Sequence, residues 1–521
     1  MITNLPISIW SRRFFWLALI FALAIRSTPV AVALAEGEED GGAPWQAPFV
    51  DNDGDETTDG FRAEQVIVRL APGADLAAFN ARNGTSLLAE ITSRNIYLLQ
   101  LPSGSDEATS EGVLGDDPDV VWAELNFASQ APEGRPRNFF VTGASDETSY
   151  SGQYASDLLG LDAAHACGTG TGVVVAVIDT GVDAAHPALA GRVLGSGWNA
   201  FENSPDTSDV GNGVDDDDDG SVDEMTGHGT HVAGIVAQVA PDAAILPIKA
   251  LDSDGVGDAF FLAAGIYYAI DSGASVINLS LSSTQNTRVV AEAAAAAASS
   301  GIVVAAAAGN LDRPQPPEYP AIDANALGIA ATDASDLKSA FSNYNSALDI
   351  SAPGTDIVST IPGGGYAYWS GTSMATPFVS GAAALVIGAG MGARDQLAQT
   401  AVPLDGLNPS YGGLLGAGRI DAAAAVGCGT NATTDANTSN VTTTASGTSE
   451  ATETTTGTAV IAGTNGDGAN CRIDASSEAD VITVVPEGTT VDLAGDLVGE
   501  WQPLTCDDVL GYVHSQYLSY G

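Results

Sequence analysis

Basic side chains are scarce in this 521-residue sequence: Lys and Arg number 17 against 65 Asp and Glu, a formal net charge of −48. Lysine occurs only at Lys249 and Lys338. So acidic a surface repels phosphate, which excludes nucleic acid as a partner. Long apolar runs are missing after the first 35 residues, so no membrane span is expected once those are removed. Histidine is rare as well, five in all, yet two of the five stand three residues apart at His228 and His231. Cysteine is limited to Cys167, Cys428, Cys471 and Cys506. An even number in an exported chain favours disulfides over metal sites or reactive thiols. Three connectivities are open, and the tendency of domain termini to lie close together favours 167 with 428 and 471 with 506.

The N-terminus carries Arg12 and Arg13, the apolar run Phe14 to Ile25 and the small-residue site Ala33-Leu-Ala35, the pattern of a signal peptide over residues 1–35. Ser11-Arg-Arg-Phe-Phe15 leaves both general and twin-arginine export open. Residues 36–60 are acidic and Gly-rich, as expected of disorder. Alternating patterns at Gln65–Arg69, Asn95–Gln100 and Val120–Glu124, with helical stretches at Asp75–Arg82 and around Ser105–Leu114, predict a small α+β domain over 61–128. A polar linker is expected over 129–153.

Over 154–428 the runs Gly172–Ile178, Ala244–Lys249, Ser275–Ser280 and Ile302–Ala306 lack polar alternation, as strands buried on both faces do. Ala-rich helical stretches separate them, which predicts an α/β, doubly wound, mostly parallel sheet with ligands beyond its carboxyl ends. Residues 429–464 are rich in Thr and Ser and read as a tether, with Asn-x-Ser/Thr triplets that could accept glycans in a eukaryote. Short strands such as Asp480–Val484 and Leu510–His514 predict a small β-barrel over 465–521.

Asp179 follows the strand ending at Ile178, His228 precedes a helix expected from about Thr230, and Ser373 opens another helix in Ser370-Gly-Thr-Ser-Met-Ala-Thr-Pro377. A serine hydroxyl needs a neutral histidine to accept its proton and a carboxylate to hold that histidine's tautomer. Asn310 follows the strand from Ile302 and would place an amide donor beside the reacting carbonyl. The zinc-protease alternative for His228 and His231 fails, because the spacing is wrong and no Glu lies between them. The glycines on either side of His228 suggest a close backbone approach.

These segments resemble the subtilisin-like serine proteases, whose three signatures are matched in order by Val177-Ile-Asp-Thr-Gly-Val-Asp183, Gly227-His-Gly-Thr-His-Val-Ala-Gly234 and Gly371-Thr-Ser-Met-Ala-Thr-Pro377. The resemblance implies a serine endopeptidase with no catalytic cofactor, with Asp179 as orienting acid, His228 as base, Ser373 as nucleophile and Asn310 as oxyanion donor. His231 is then structural. It further implies that Gly255-Val-Gly257 and Ser280-Leu281-Ser282 flank a polypeptide substrate as strands, with Ala307, Ala308 and Gly309 lining the slot for the residue before the scissile bond. Ser282 stands where the family usually has Gly. No charged residue is placed in the slot, so an apolar or aromatic preference is expected.

Residues 61–128 resemble the family's propeptide inhibitor, which implies a zymogen cut by itself between about Phe127 and Tyr154 at a bond the sequence does not name. The terminal domain is similar to bacterial SH3-like domains, some of which bind cell-wall peptide; its aromatics fit barrel core equally well. A secreted protein, held at a cell wall or free, follows. The family's tight calcium site is expected to be absent, since Ala188 follows His186-Pro187 and no loop interrupts Ile235–Pro241. Instead Asp215, Asp217, Asp219 and Asp223, with Gly220 for a sharp turn, predict a structural calcium loop. Asp51, Asp53 and Asp55 read as solvated charge. The competing function class is a wall-binding protein with an inactive protease-like domain.

Overall fold

The computed structural model describes residues 32–34, 49–50, 60–134, 143–217, 220–315 and 318–428, and further on 458–461, 469–472, 481–486, 488–492, 501–506, 509–514 and 517–520. The predicted signal peptide, acidic segment and Thr-rich tether lie almost wholly outside these residues. Two compact units divide at Ala432 and Thr433.

The first unit begins with an α+β layer. Its elements are β1 (Phe61–Leu70), α1 (Leu76–Asn83), β2 (Ser86–Ile91), β3 (Ile96–Gln100), α2 (Glu107–Gly115) and β4 (Val120–Gln130). The strands pair antiparallel in the order β2-β3-β1-β4. Asp75 and Asp106 cap the two helices by accepting from the N–H of Ala78 and Thr109, which fixes where each begins. β2 was not read from the sequence, because Ser86-Leu-Leu-Ala-Glu-Ile91 has no clean alternation, and β4 runs six residues past its expected end. The reason for both is burial on two faces. Val66 and Val68 pack with Phe79 and Leu99 under the layer's own helices, while Ile67, Ile96, Leu98 and Trp122 join the core of the larger body.

That body is built on β5 (Val174–Asp179), β6 (Trp198–Asn199), β7 (Ala244–Lys249), β9 (Val276–Leu279), β10 (Val303–Ala307), β11 (Leu327–Thr332) and β12 (Ile350–Pro353). All pair in parallel, in the order β12-β11-β10-β9-β5-β7-β6. Around it lie α3 (His228–Val239), α4 (Ala259–Asp271), α5 (Arg288–Ser299) and α6 (Thr372–Gly388). The predicted doubly wound parallel sheet is therefore the observed one. Cys167 and Cys428 form a disulfide with Cα atoms 6.2 Å apart, closing the ends of this body.

The expected linker is partly structured. Gln130 to Gly134 lies buried against the parallel-sheet body, and Gly143–Ser145 pairs with Gly365–Trp369. A short strand β8 (Val256–Asp258) extends the N-terminal sheet by pairing antiparallel with β4, so one sheet crosses from the first layer into the second.

The second unit is all-β among its described residues. Strands Ala469–Arg472, Val481–Val485, Trp501–Cys506 and Val509–His514 form one sheet, and Thr458–Ile461, Thr490–Asp492 and Leu518–Tyr520 another. Ile461, Cys471, Leu504 and Val513 form its core. The side chain of Cys506 lies outside the described residues, as does that of Trp501.

Candidate active site

Asp179 closes β5 at the carboxyl edge of the sheet and is fully buried. Its Oδ1 accepts from the Thr180 N–H at 2.8 Å and stands 2.7 Å from Nδ1 of His228. His228 is the first residue of α3, two positions earlier than the sequence suggested. The helix starts there because Gly227 adopts φ +100° and Asp209 accepts from the N–H groups of both Gly227 and Thr230. A side chain at Gly229 would strike the Gly181 carbonyl and Asp179, so this glycine is required by the approach of α3 to β5. His231 is buried one turn on, its ring stacked on Trp369 at 5.3 Å and its Nε2 3.2 Å from the Ala367 carbonyl. Burial drives its pKa down to about 3, which keeps it neutral.

Ser373 lies in the first turn of α6, where the helix N-terminus concentrates unpaired N–H groups. Asn310 follows β10, and its Oδ1 accepts from the N–H and hydroxyl of Thr372 at 2.9 and 2.8 Å. That pair of bonds turns the amide nitrogen of Asn310 outward. Thr372 is thus a positioning residue that the sequence reading passed over, although it stands inside the quoted motif.

The residue that fills this site came from no sequence signal. Glu133, 1% exposed, directs its carboxylate into the space between Ser373, His228 and Asn310. Oε2 accepts from the Ser373 hydroxyl at 2.6 Å and lies 3.2 Å from His228 Nε2. Oε1 accepts from Asn310 Nδ2 at 2.8 Å and from the Ser373 N–H at 3.4 Å. A side chain at Gly371 would overlap that same oxygen, so glycine is obligatory beside the carboxylate. Burial pulls the His228 pKa down, but Asp179 and Glu133 more than offset it and raise it to about 10. Burial pushes Glu133 up, and His228, Ser373 and Asn310 reverse that, leaving it below the ordinary carboxylate value. An imidazolium–carboxylate pair results.

The chain before Glu133 lies between two strand-like segments. Gln130 exchanges both backbone hydrogen bonds with Ser282 at 3.0 and 2.9 Å, and the Ala131 N–H donates to the Gly255 carbonyl at 2.9 Å. Gly257 pairs with Ser129 in β8. The Ser280 carbonyl lies 3.2 Å from the Ser373 hydroxyl, and Leu281 is buried between these contacts. Ala307 ends β10, Ala308 accepts from Asn343, and Gly309 adopts φ +94°. Main-chain pairing of this kind, with one carboxylate held by amide donors, can bind a polypeptide and stabilise a developing oxyanion.

Comparison with known proteins identifies the body. A model of the subtilase family matches residues 170–402, and a bacterial SH3 domain matches 467–519. Thermitase of Thermoactinomyces vulgaris is 40% identical over 255 residues, 47% of this chain and 85% of that protein. The chain belongs to the subtilase family. A thermophilic serine proteinase of Bacillus sp. (strain AK1) is 38% identical over 321 residues, 59% of this chain and 73% of the relative. The cell wall-associated protease of Bacillus subtilis (strain 168) is 41% identical over 223 residues, 41% of this chain and 23% of that protein. As a subtilase with these relatives, the chain is a serine endopeptidase, and its chemistry needs no cofactor.

Three carboxylates near the site, Asp215, Asp217 and Asp254, bring oxygens within 4.8 Å of one another. The subtilase thus has an acidic cluster, though its membership differs from the expected one. Asp219 lies outside the described residues. Asp223 turns its carboxylate to the N–H groups of Asn212 and Gly213, bracing the loop. Asp254 is recruited from a distant turn. Beside it, both oxygens of Glu224 are buried without a hydrogen-bond partner, and burial together with Asp254 and Asp217 raises that pKa to about 8. Uncompensated oxygens of this sort fit a hard cation.

Proposed function

We propose that the chain is a secreted zymogen whose protease works through an acyl-enzyme, with Asp179, His228 and Ser373 as triad and Asn310 as oxyanion donor. The observation that carries this is the convergence of Ser373 Oγ, His228 Nε2 and Asn310 Nδ2 on one carboxylate. That carboxylate stands in for the carboxylate of a cleaved product. With a substrate carbonyl in its place, His228 in neutral form takes the Ser373 proton as Oγ attacks, and Asp179 stabilises the imidazolium. The oxyanion then receives the Asn310 amide and the Ser373 N–H. His228 returns its proton to the leaving amine, and water repeats the sequence to release the acid.

Residues 61–128 act in this proposal as the inhibitor, since β4 occupies the substrate position with Gln130 against Ser282 and Ala131 against Gly255. Calcium, held by Asp215, Asp217 and Asp254, would brace the loop before His228 without taking part in a step. The SH3-like domain holds the mature enzyme at a cell wall, a reading supported by the matched domain and the wall-associated relative. Cys471 pairs with Cys506 in the same proposal.

Titration with a serine-directed phosphonylating reagent tests the assignment. Stoichiometric labelling of Ser373 in processed protein is expected, and Ser373→Ala protein should keep its N-terminal layer when made with no other protease present. Folded, processed material that takes no label would favour the wall-binding alternative instead.

A further inference from the structure

We propose that Glu318 is a specificity-determining residue that closes off the slot before the scissile bond, so that the enzyme cuts after small side chains such as Ala and Ser and rejects aromatic and long aliphatic ones; this rests on the endopeptidase reading above. The slot has two walls, Ser280 to Ser282 and Ala307 to Gly309. Glu318 spans them. Tyr319 exchanges both backbone hydrogen bonds with Ser283, at 2.8 and 2.9 Å, which holds the residue before it beside the first wall. There Glu318 Oε2 accepts from the Ser282 hydroxyl at 2.5 Å. At the second wall a methyl group on Gly309 would lie 2.7 Å from the Glu318 carboxyl carbon, closer than carbon atoms pack, and Asn343 donates to Oε1 at 3.2 Å and to the Ala308 carbonyl at 2.9 Å. The bridge is buried, with Glu318 2% exposed.

The carboxylate belongs to the wall and is already paired. Arg313 Nη2 lies 3.7 Å from Oε1, and Asn343 is itself held in place because its Oδ1 accepts from the N–H groups of Leu311 and Arg313 at 3.1 Å each. A side chain long enough to reach the bridge must push Glu318 aside and leave buried donors without their acceptor, whereas an alanine methyl stops short of it. Length is what the slot measures. The cavity on the other side of Glu318 is lined by Arg313, Pro314, Ile322 and Leu348 and by no residue of the first wall, so Glu318 stands between the slot and that space. Ser282, in the place where the family usually has Gly, supplies the hydroxyl that fastens one end of the bridge. The aromatic preference expected from the sequence gives way to a small one. Glu318 escaped notice because it lies eight residues beyond Asn310, outside every motif, and reaches the slot only through the pairing of Tyr319 with Ser283.

The test uses processed enzyme, with active sites counted by phosphonylation, on succinyl-Ala-Ala-Pro-X p-nitroanilides with X as Ala, Leu or Phe. Wild-type kcat/KM should be at least about tenfold higher for Ala than for Leu and Phe. Glu318→Gly removes the bridge and should raise the ratio of Phe to Ala by about tenfold or more. Glu318→Gln keeps the length and loses the charge, so its ratio should stay within about threefold of wild type. Should Glu318→Gly fail to fold, Ser282→Gly frees one end of the bridge and should move the ratio in the same direction. Labelled, active wild-type enzyme that prefers Phe or Leu would overturn the proposal without any variant. A Gln variant that shifts the ratio as far as the Gly variant does would overturn it too, since charge and not length would then decide. Absence of labelling would instead overturn the endopeptidase reading.

Discussion

Replacing Glu133 by Ala should loosen the N-terminal layer from the active site far more than its size suggests. The carboxylate receives the Ser373 hydroxyl at 2.6 Å and the Asn310 amide at 2.8 Å, and it pairs with His228 at 3.2 Å, all without solvent contact. Hydrogen bonds involving a charged partner contribute about 1.5–3 kcal/mol each. Water enters the vacated space and recovers part of that, so a net loss of about 2–3 kcal/mol is expected, or roughly 30- to 150-fold in inhibition constant. The assay is inhibition of mature enzyme by the separate N-terminal segment, residues 61–134, with and without Glu133→Ala. The wild-type segment should also inhibit less well as pH rises. His228 has a pKa of about 10 with Glu133 in place, against an ordinary 6.5, so the closed state holds a proton that the open site releases. The stabilisation is full below about 6.5 and is lost progressively towards 10, at most about tenfold per pH unit. An unchanged constant for Glu133→Ala, or inhibition that strengthens with pH, would refute the reasoning.

Asn310→Ala should lower kcat by about 10²–10³ with little change in KM, since its donor acts on charge that develops only in the transition state; steady-state kinetics decide. Calcium at about a hundred times its dissociation constant should raise the melting temperature by about 5–10 °C, and Asp217→Asn should abolish that rise; an equal rise in the variant places the ion elsewhere. Removing the 167–428 disulfide by a double Ser substitution should cost about 2–5 kcal/mol in urea unfolding while leaving kcat unchanged, because the bond closes the body's ends and touches nothing in the site.

The parallel sheet was legible because Val174–Asp179, Ala244–Lys249 and Val276–Leu279 are unbroken apolar runs, and burial on both faces leaves no other use for them. β11 and β12 were not, since Leu-Gly-Ile-Ala-Ala-Thr and Ile-Ser-Ala-Pro are too short and Ala-rich to exclude helix or loop. The four candidate residues Asp179, His228, Asn310 and Ser373 stood out in the sequence because each sits at a strand end or helix start that a local motif marks. Glu133 reaches Ser373 across 240 residues and Asp209 reaches Thr230 across 21, and a lone acid among 65 carries no local sign of such a partner.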